Sequence, residues 1–255
     1  MTDLTPYITA WRQSIAAVLE LEPDDWDVPT DLPGWTAKDV LAHLVHLERV
    51  MVEGEPAPVG GAAVPSDYTN AGVAALRDVP VDQLRRDLAD LVERRAETLA
   101  DLPDSQAPAV NTPAGVEWPW EVALRNRAID AWTHEQDIRR AVGIPGGLDS
   151  PGAHVTTATF AAALPYILGR RAKAPIGSVV RWVVTGPVPL DATIAVGDDG
   201  RARPTHVPAG ATLRMDTEAF TVLGAGRRGP DAVTVEVEGD RELAARVLGA
   251  MAVTT

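Results

Sequence analysis

Apolar side chains recur at helical intervals through the first half of the chain. The runs cover residues 5–21, 36–51, 81–102 and 119–142, and each is long enough to form one face of an amphipathic helix. A segment rich in Gly, Pro and Ala, 54–65, predicts a loop after the second run. Four helices of roughly 17 to 24 residues predict a four-helix bundle, because their apolar faces have to be buried against one another.

The ends of these helices carry recognisable signals. Thr36 is a plausible N-cap, and Asp39 three residues later approximates a capping box. Pro23 follows the first run, and Gly143 with Pro145 closes the last one. These residues limit the predicted helices.

Beyond Gly177 the pattern changes to short β-branched runs separated by Gly, Pro and Asp. Four of these runs predict strands at 179–185, 192–196, 211–215 and 233–237. Asp216 and Asp240 are N-cap candidates for two short helices, the first ending near 223 and the second covering 242–251. Strands and helices are therefore mixed in the second half of the chain.

The two halves differ enough to predict two domains. A further helix near 156–170 is expected to bridge them. The predicted fold class is α+β, with a helical bundle at 1–150 followed by a small α+β domain at 151–255.

Composition limits the possible partners. The formal net charge is −13, which argues against nonspecific binding to nucleic acid or to an anionic membrane, since both attract basic surfaces. No run approaches the roughly 18 apolar residues of a membrane span, and the first ten residues lack the order of a signal peptide. We therefore expect a cytoplasmic protein with no nucleic-acid or membrane partner.

The chain contains no cysteine, so a metal site has to use His, Asp or Glu. On the second helix the apolar stripe is centred near Leu44. At about 100° per residue, His43 lies roughly 110° from that centre, at the edge of the stripe, and His46 lies roughly 170° away. His46 is therefore expected to face solvent.

The last helix of the bundle carries a polar row beside its apolar stripe, formed by Arg127, Asp130, His134 and Asp137. Spacings of three and four place successive members on neighbouring turns of one face. Asp130 and His134 can thus bind one ion from the same side. Two histidines and a carboxylate suffice for a catalytic divalent metal, which needs three protein ligands and an open position. A solvated Asp–His pair and a boundary histidine are the commoner interpretation of such residues.

Two segments resemble the metal-binding bundle of the mycothiol-dependent maleylpyruvate isomerase family and its DinB-like relatives. They are residues 32–44, LPGWTAKDVLAHL, and residues 129–139, IDAWTHEQDIR. The resemblance implies a DinB-like four-helix bundle in which His43, Asp130 and His134 hold a divalent metal. Zinc is the usual metal, with nickel or iron as alternatives. The acid of the family is typically Glu, and Asp130 is one methylene shorter.

The resemblance continues into the second half, through residues 216–223, 226–227 and 239–248. In that domain of the family an arginine is implicated in catalysis, and Arg227 or Arg228 is the match here. A guanidinium suits a substrate carboxylate because its planar fork pairs with both oxygens. A solvated arginine pair in a turn is an equally open interpretation.

The function implied by the resemblance is that of a metal-dependent enzyme. It would use mycothiol, a low-molecular-weight thiol, as the nucleophile for isomerisation or S-transfer on a small electrophilic substrate. A metal-dependent hydrolase and a non-catalytic ligand-binding protein are the alternatives. The oligomeric state is left open between monomer and homodimer.

Two further groups of side chains have ordinary interpretations. The tryptophans Trp35, Trp118, Trp120 and Trp132 can line a substrate cleft, but packing is the commoner role near helix ends. A set of arginines on the third predicted helix is expected to form a solvated face paired with neighbouring carboxylates: Arg85, Arg86, Arg94 and Arg95.

Overall fold

The computed structural model describes residues 2–54, 59–61 and 63–254. Part of the predicted loop at 54–65 lies outside the described residues. The chain divides into two compact units, Met1–Val155 and Thr156–Thr255. The domain limits of 1–150 and 151–255 stay a prediction, since compact packing alone does not show independent folding.

Long helices dominate the first unit. They are α1 (Thr5–Leu19), α2 (Ala37–Glu53), α3 (Ser66–Leu76), α4 (Val81–Thr98) and α5 (Trp120–Val142). The predicted capping box is present, because the Thr36 side chain accepts from the Asp39 backbone N–H and the Asp39 carboxylate accepts from the Thr36 N–H. Gly143 ends α5 in the left-handed conformation, which glycine adopts without steric cost.

Four of these helices form the predicted bundle. α1 packs on α5, α5 on α2, α2 on α4, and α4 on α1, which closes a ring. The largest fully buried side chains of its core include Trp11, Ile15, Leu41, Leu44, Leu84, Leu88 and Leu124. The bundle brings α2 and α5 side by side, and these two helices carry the candidate metal ligands.

The helix α3 is absent from the sequence-based prediction. It packs on the outside of α2 and buries only Gly72, Val73 and Leu76. With so few apolar contacts, its sequence lacks the helical periodicity of the other four. The prediction of four helices for this part of the chain was therefore incomplete.

The second unit is built around a five-stranded sheet within its described residues. Its strands are β1 (Val179–Thr185), β2 (Leu190–Val196), β3 (Ala202–Pro204), β4 (Ala211–Asp216) and β5 (Glu236–Gly239). The strand order is β3-β2-β1-β4-β5, with β1 parallel to β4 and the other neighbours antiparallel.

Helical segments accompany this sheet. They are α6 (Pro151–Ala162), which crosses the limit between the units, α7 (Leu164–Tyr166), a π-helical turn (Ile167–Arg171), α8 (Thr217–Gly224) and α9 (Arg241–Leu248). Asp216 and Asp240 cap α8 and α9 through hydrogen bonds from Ala219 N–H and Leu243 N–H, as predicted. The α+β fold class is confirmed.

Some boundaries in this unit differ from the prediction. The last strand begins at Glu236 rather than at residue 233, because a 3₁₀ turn (Pro230–Ala232) precedes it. The edge strand β3 was missed because it has only three residues and ends in a proline, which cannot donate to a strand ladder. Among the described residues, no helix is both long and apolar enough to cross a membrane.

Candidate metal centre

His43 on α2 meets Asp130 and His134 on α5. His43 Nε2 lies 3.5 Å from Asp130 Oδ1, and His134 Nε2 lies 3.4 Å from the same oxygen. The imidazole rings stand edge to face, with their centroids 4.6 Å apart. One potential ligand atom from each of the three residues lies within 4.8 Å of the others. The structure thus brings the three predicted residues together.

These separations fit a small divalent ion. Two ligands at about 2.0–2.1 Å from a tetrahedral zinc lie about 3.3–3.4 Å apart, close to the two distances measured to Asp130 Oδ1. Both histidines are buried, at 4% and 6% exposure, whereas the Asp130 side chain is 31% exposed. The two imidazoles and the carboxylate therefore fit a divalent metal, and the exposure of Asp130 fits a metal with one coordination position open to another ligand. Ligation itself stays a prediction.

Burial and charge set the protonation states of the three residues. Burial lowers the pKa of His43 to about 4, although Asp130 opposes this shift, so the imidazole is neutral near pH 7. Burial works against ionisation of Asp130, but His134 and Arg127 outweigh it and hold the pKa of Asp130 well below its usual range. Burial also lowers the pKa of His134, yet the charge of Asp130 reverses the shift and raises it.

Asp137, Arg140 and Asp31 form a series of hydrogen bonds that begins at Nδ1 of His134, the ring nitrogen that faces away from Asp130. His134 Nδ1 lies 3.0 Å from Asp137 Oδ2, and Asp137 is fully buried. Arg140 donates to Asp137 Oδ1 at 2.6 Å and to Asp31 Oδ2 at 2.8 Å. A carboxylate bonded to the far nitrogen of a histidine fixes the tautomer and the ring orientation of metal ligands. His43 differs, because within the described residues its buried Nδ1 has no hydrogen-bond partner.

A buried ion-pair network approaches the site from the other side. Arg127 donates through Nη1 to Asp130 Oδ2, and its Nε donates to Glu48 Oε1 at 2.8 Å. Glu48 is fully buried and also accepts from Arg95 at 3.0 Å and from the Trp11 indole at 2.6 Å. The polar row on α5 is therefore continuous with charges inside the bundle.

The prediction that Arg95 lies on a solvated helix face was wrong. Arg95 is 4% exposed, and its guanidinium carbon lies 4.7 Å from the centre of the Trp11 ring. Helical spacing explains this position, since Arg95 follows Leu84, Leu88 and Leu91 in the apolar stripe of α4. The exposed ion pairs of Arg94 with Glu53 and Asp90 agree with the prediction for that residue.

His46 is also less exposed than predicted. It is half-buried, and its ring lies 5.1 Å from that of Tyr68 on α3. A side chain at Gly72 would collide with His46, since a Cβ there would lie 2.2 Å from the imidazole. Because α3 was not predicted, the helix that covers His46 was missing from the sequence-based interpretation.

The four tryptophans differ in their roles, and Trp120 is partly buried against the core of the bundle. The Trp35 ring lies 5.3 Å from His43 and is stacked at 6.3 Å on His134, so it lines the candidate site. Trp132 is 1% exposed and donates to the Gly147 carbonyl at 3.0 Å, which is a packing role.

Sequence reasoning missed Glu48 as part of this site. The signal was present, because Glu48 is one turn beyond Leu44 and falls about 40° from the centre of the apolar stripe. A carboxylate in that position requires buried partners. Arg95 and Arg127 are those partners.

Arg227 and Arg228 lie in the second unit, in the turn that follows α8. Arg227 is half-buried and donates through Nη1 to the Ala225 carbonyl at 3.1 Å, whereas Arg228 is exposed. Their catalytic role stays a prediction.

The fold and the site define a class of protein: a four-helix bundle with a His–Asp–His cluster between two helices, followed by an α+β unit. Residues 8–139 match the family model described as the mycothiol maleylpyruvate isomerase N-terminal domain, and residues 154–246 match that of the corresponding C-terminal domain. The chain belongs to the mycothiol-dependent maleylpyruvate isomerase family.

The individual proteins that resemble this chain share less than a third of its residues. An uncharacterised protein of Mycobacterium tuberculosis, recorded in two strains, is 27% identical over an alignment of 157 residues that covers 56% of this chain. The match spans only 59% of the length of that relative. The crystal structure of the mycothiol-dependent maleylpyruvate isomerase has a TM-score of 0.60 at 17% identity and covers 92% of this chain and 93% of its own. A histidine-to-alanine variant of that isomerase gives a TM-score of 0.59 at the same identity and coverage. At this identity the likeness concerns the fold.

Proposed function

We propose that this protein is an enzyme that uses mycothiol as a nucleophile on a small electrophilic substrate, for isomerisation or S-transfer. His43, Asp130 and His134 are proposed to hold a divalent metal, with zinc as the first choice and nickel or iron as alternatives. The observation that carries the proposal is the convergence of two imidazoles and one carboxylate from α2 and α5. Family membership supports mycothiol as the thiol.

The chemistry needs a thiolate near neutral pH. The chain has no cysteine and supplies no thiolate of its own. A divalent metal lowers the pKa of a thiol that coordinates it.

The residues of the chain prepare the site for this role. His43 stays neutral near pH 7 because burial lowers its pKa, so a nitrogen lone pair is available. The hydrogen bond that His134 Nδ1 donates to Asp137 holds the His134 ring. Trp35 packs against both imidazoles.

In the second unit, Arg227 or Arg228 is proposed to bind a carboxylate of the substrate, because a guanidinium pairs with both of its oxygens. From the sequence we expect the protein to be a monomer or a homodimer. We also expect it to work in the cytoplasm. Size-exclusion chromatography and cell fractionation test these two points.

Calorimetric titration of the zinc-loaded protein with mycothiol tests the proposed function. We expect one mycothiol to bind per zinc, and we expect no binding to the metal-free protein or to His43→Ala. Maleylpyruvate, named for the structural relative, is the first substrate to assay with mycothiol present.

The other outcomes point to the rival functions. A zinc-loaded protein that binds no mycothiol at about millimolar concentration, a weak limit for a specific ligand, would favour a metal-dependent hydrolase. A purified protein without metal that also refuses zinc, nickel and iron would favour a non-catalytic ligand-binding protein.

A further inference from the structure

Asp130 is the most exposed of the three candidate ligands, and its carboxylate is nevertheless held in one orientation. Its Oδ2 accepts a hydrogen bond from Arg127 Nη1. The other oxygen, Oδ1, is the atom that lies near the Nε2 atoms of both histidines. The contact with Arg127 therefore determines which oxygen faces the imidazoles.

Arg127 is itself fixed from inside the bundle. It is 3% exposed, and its Nε donates to Glu48 Oε1. Glu48 is held in turn by the Trp11 indole and by Arg95. An arginine whose fork is held at one end loses little further freedom when its other end binds a carboxylate.

The geometry points to Arg127 as a positioning residue that orients Asp130 toward the metal through its link to Glu48. The inference rests on the proposed function, because it concerns the same metal site. Arg127 on α5 contacts the candidate ligand Asp130 but is not itself a metal ligand. The buried carboxylate of Glu48 on α2 holds Arg127 in place.

Arg95 provides a matched control within the same network. Its side chain is 5% exposed, compared with 3% for Arg127, and it also forms an ion pair with Glu48. Within the described residues, Glu48 is its only ion-pair partner, and it contacts none of the three candidate ligands. Replacing either arginine removes one buried partner of Glu48, but only replacement of Arg127 releases Asp130.

The test is the zinc affinity of Arg127→Gln, Arg127→Lys and Arg95→Gln, measured by competition with a chelator. Removal of groups that orient metal ligands typically lowers affinity by about 10- to 100-fold, and we expect this loss for Arg127→Gln. The zinc affinity of Arg127→Lys should fall between that of Arg127→Gln and that of the wild type, because an ammonium keeps the charge but lacks the planar fork that binds Glu48 through Nε and Asp130 through Nη1. Arg95→Gln should lose much less zinc affinity than either Arg127 variant, because Arg127 still contacts Asp130 in it, although the thermal midpoint of Arg95→Gln falls.

The visible spectrum of the cobalt-loaded protein gives a second readout. Its bands report the coordination geometry, so we expect them to change more in both Arg127 variants than in Arg95→Gln. If Arg127→Gln does not fold, the comparison of Arg127→Lys with Arg95→Gln decides. Equal affinities and spectra in the Arg127 and Arg95 variants would overturn the inference.

Failure of the proposed function would look different. If the wild-type protein binds no zinc, or binds zinc no more tightly than His43→Ala does, the proposed metal site is overturned. The proposed role of Arg127 is then overturned with it. Wild-type protein that binds zinc, with loss in His43→Ala and no loss in the Arg127 variants, would overturn the role of Arg127 alone.

Discussion

The Nδ1 atom of His134 lies 3.0 Å from Oδ2 of Asp137, so the imidazole presents its other nitrogen, Nε2, to Asp130. The two residues are three positions apart on α5, where side chains on successive turns meet. A contact between two residues of one helix therefore orients a candidate metal ligand.

We expect Asp137→Asn to lower zinc affinity by about 10- to 100-fold, because a neutral amide holds the histidine ring less firmly than a carboxylate. Calorimetric titration with zinc measures this change. Arg140→Gln is the matched control, because it removes the ion pair of Asp137 with Arg140 but leaves the contact with His134. Equal losses of affinity in the two variants would contradict a specific role for the His134 contact.

Replacement of His43 or His134 by Ala should strip the metal while the bundle stays folded. The core of large apolar side chains does not depend on either imidazole. Elemental analysis and circular dichroism measure the two properties, and zinc should raise the thermal midpoint of the wild type but not of the variants. His46→Ala should retain both metal and fold. Unfolding of both variants would instead make His43 and His134 structural residues.

A buried carboxyl on α5 predicts a pH-dependent stability. Burial raises the pKa of Glu135 to about 6, although Arg139 and Ser14 oppose the shift. Because the folded state then holds the proton more tightly than the unfolded state, Glu135 should destabilise the fold as pH rises through about 6. The shift corresponds to about 2 kcal/mol.

Urea unfolding of the wild type and of Glu135→Gln at about pH 4.5 and about pH 7.5 measures this contribution. We expect the free energy of unfolding of the wild type to fall by about 2 kcal/mol relative to the variant between the two conditions. A difference that does not change with pH would show that Glu135 titrates normally.

Single replacements of Arg227 and Arg228 by Gln test the predicted substrate contact. The arginine that binds a substrate carboxylate should, when replaced, lower kcat/KM by about 10-fold or more, which is the scale of a lost charged hydrogen bond. Zinc content should stay at the wild-type level in both variants, because neither residue is a candidate ligand. An unchanged kcat/KM in both variants would show that neither arginine binds the substrate.

Much of this architecture follows from local sequence patterns. The Thr36–Asp39 capping box, the left-handed Gly143 and the strand β1 lie where the sequence predicts them, because caps and periodicity act over a few residues. Spacing along α5 likewise places Arg127, Asp130, His134 and Asp137 on one face. The helix α3 and the short strand β3 were missed, since neither has enough apolar contacts to leave a periodic signal.

The sequence by itself determined the four helices of the bundle, the α+β class and the row of polar residues on α5, since these depend on near neighbours in the chain. Only the tertiary structure decided that His43 meets that row, that Glu48 and Arg95 are buried, and that α3 covers His46. The reason is that helical periodicity gives the direction of a side chain around its own axis. It does not say which residue lies in that direction. For a buried charged group or a metal ligand, that neighbouring residue decides whether the group is ionised and how it is oriented.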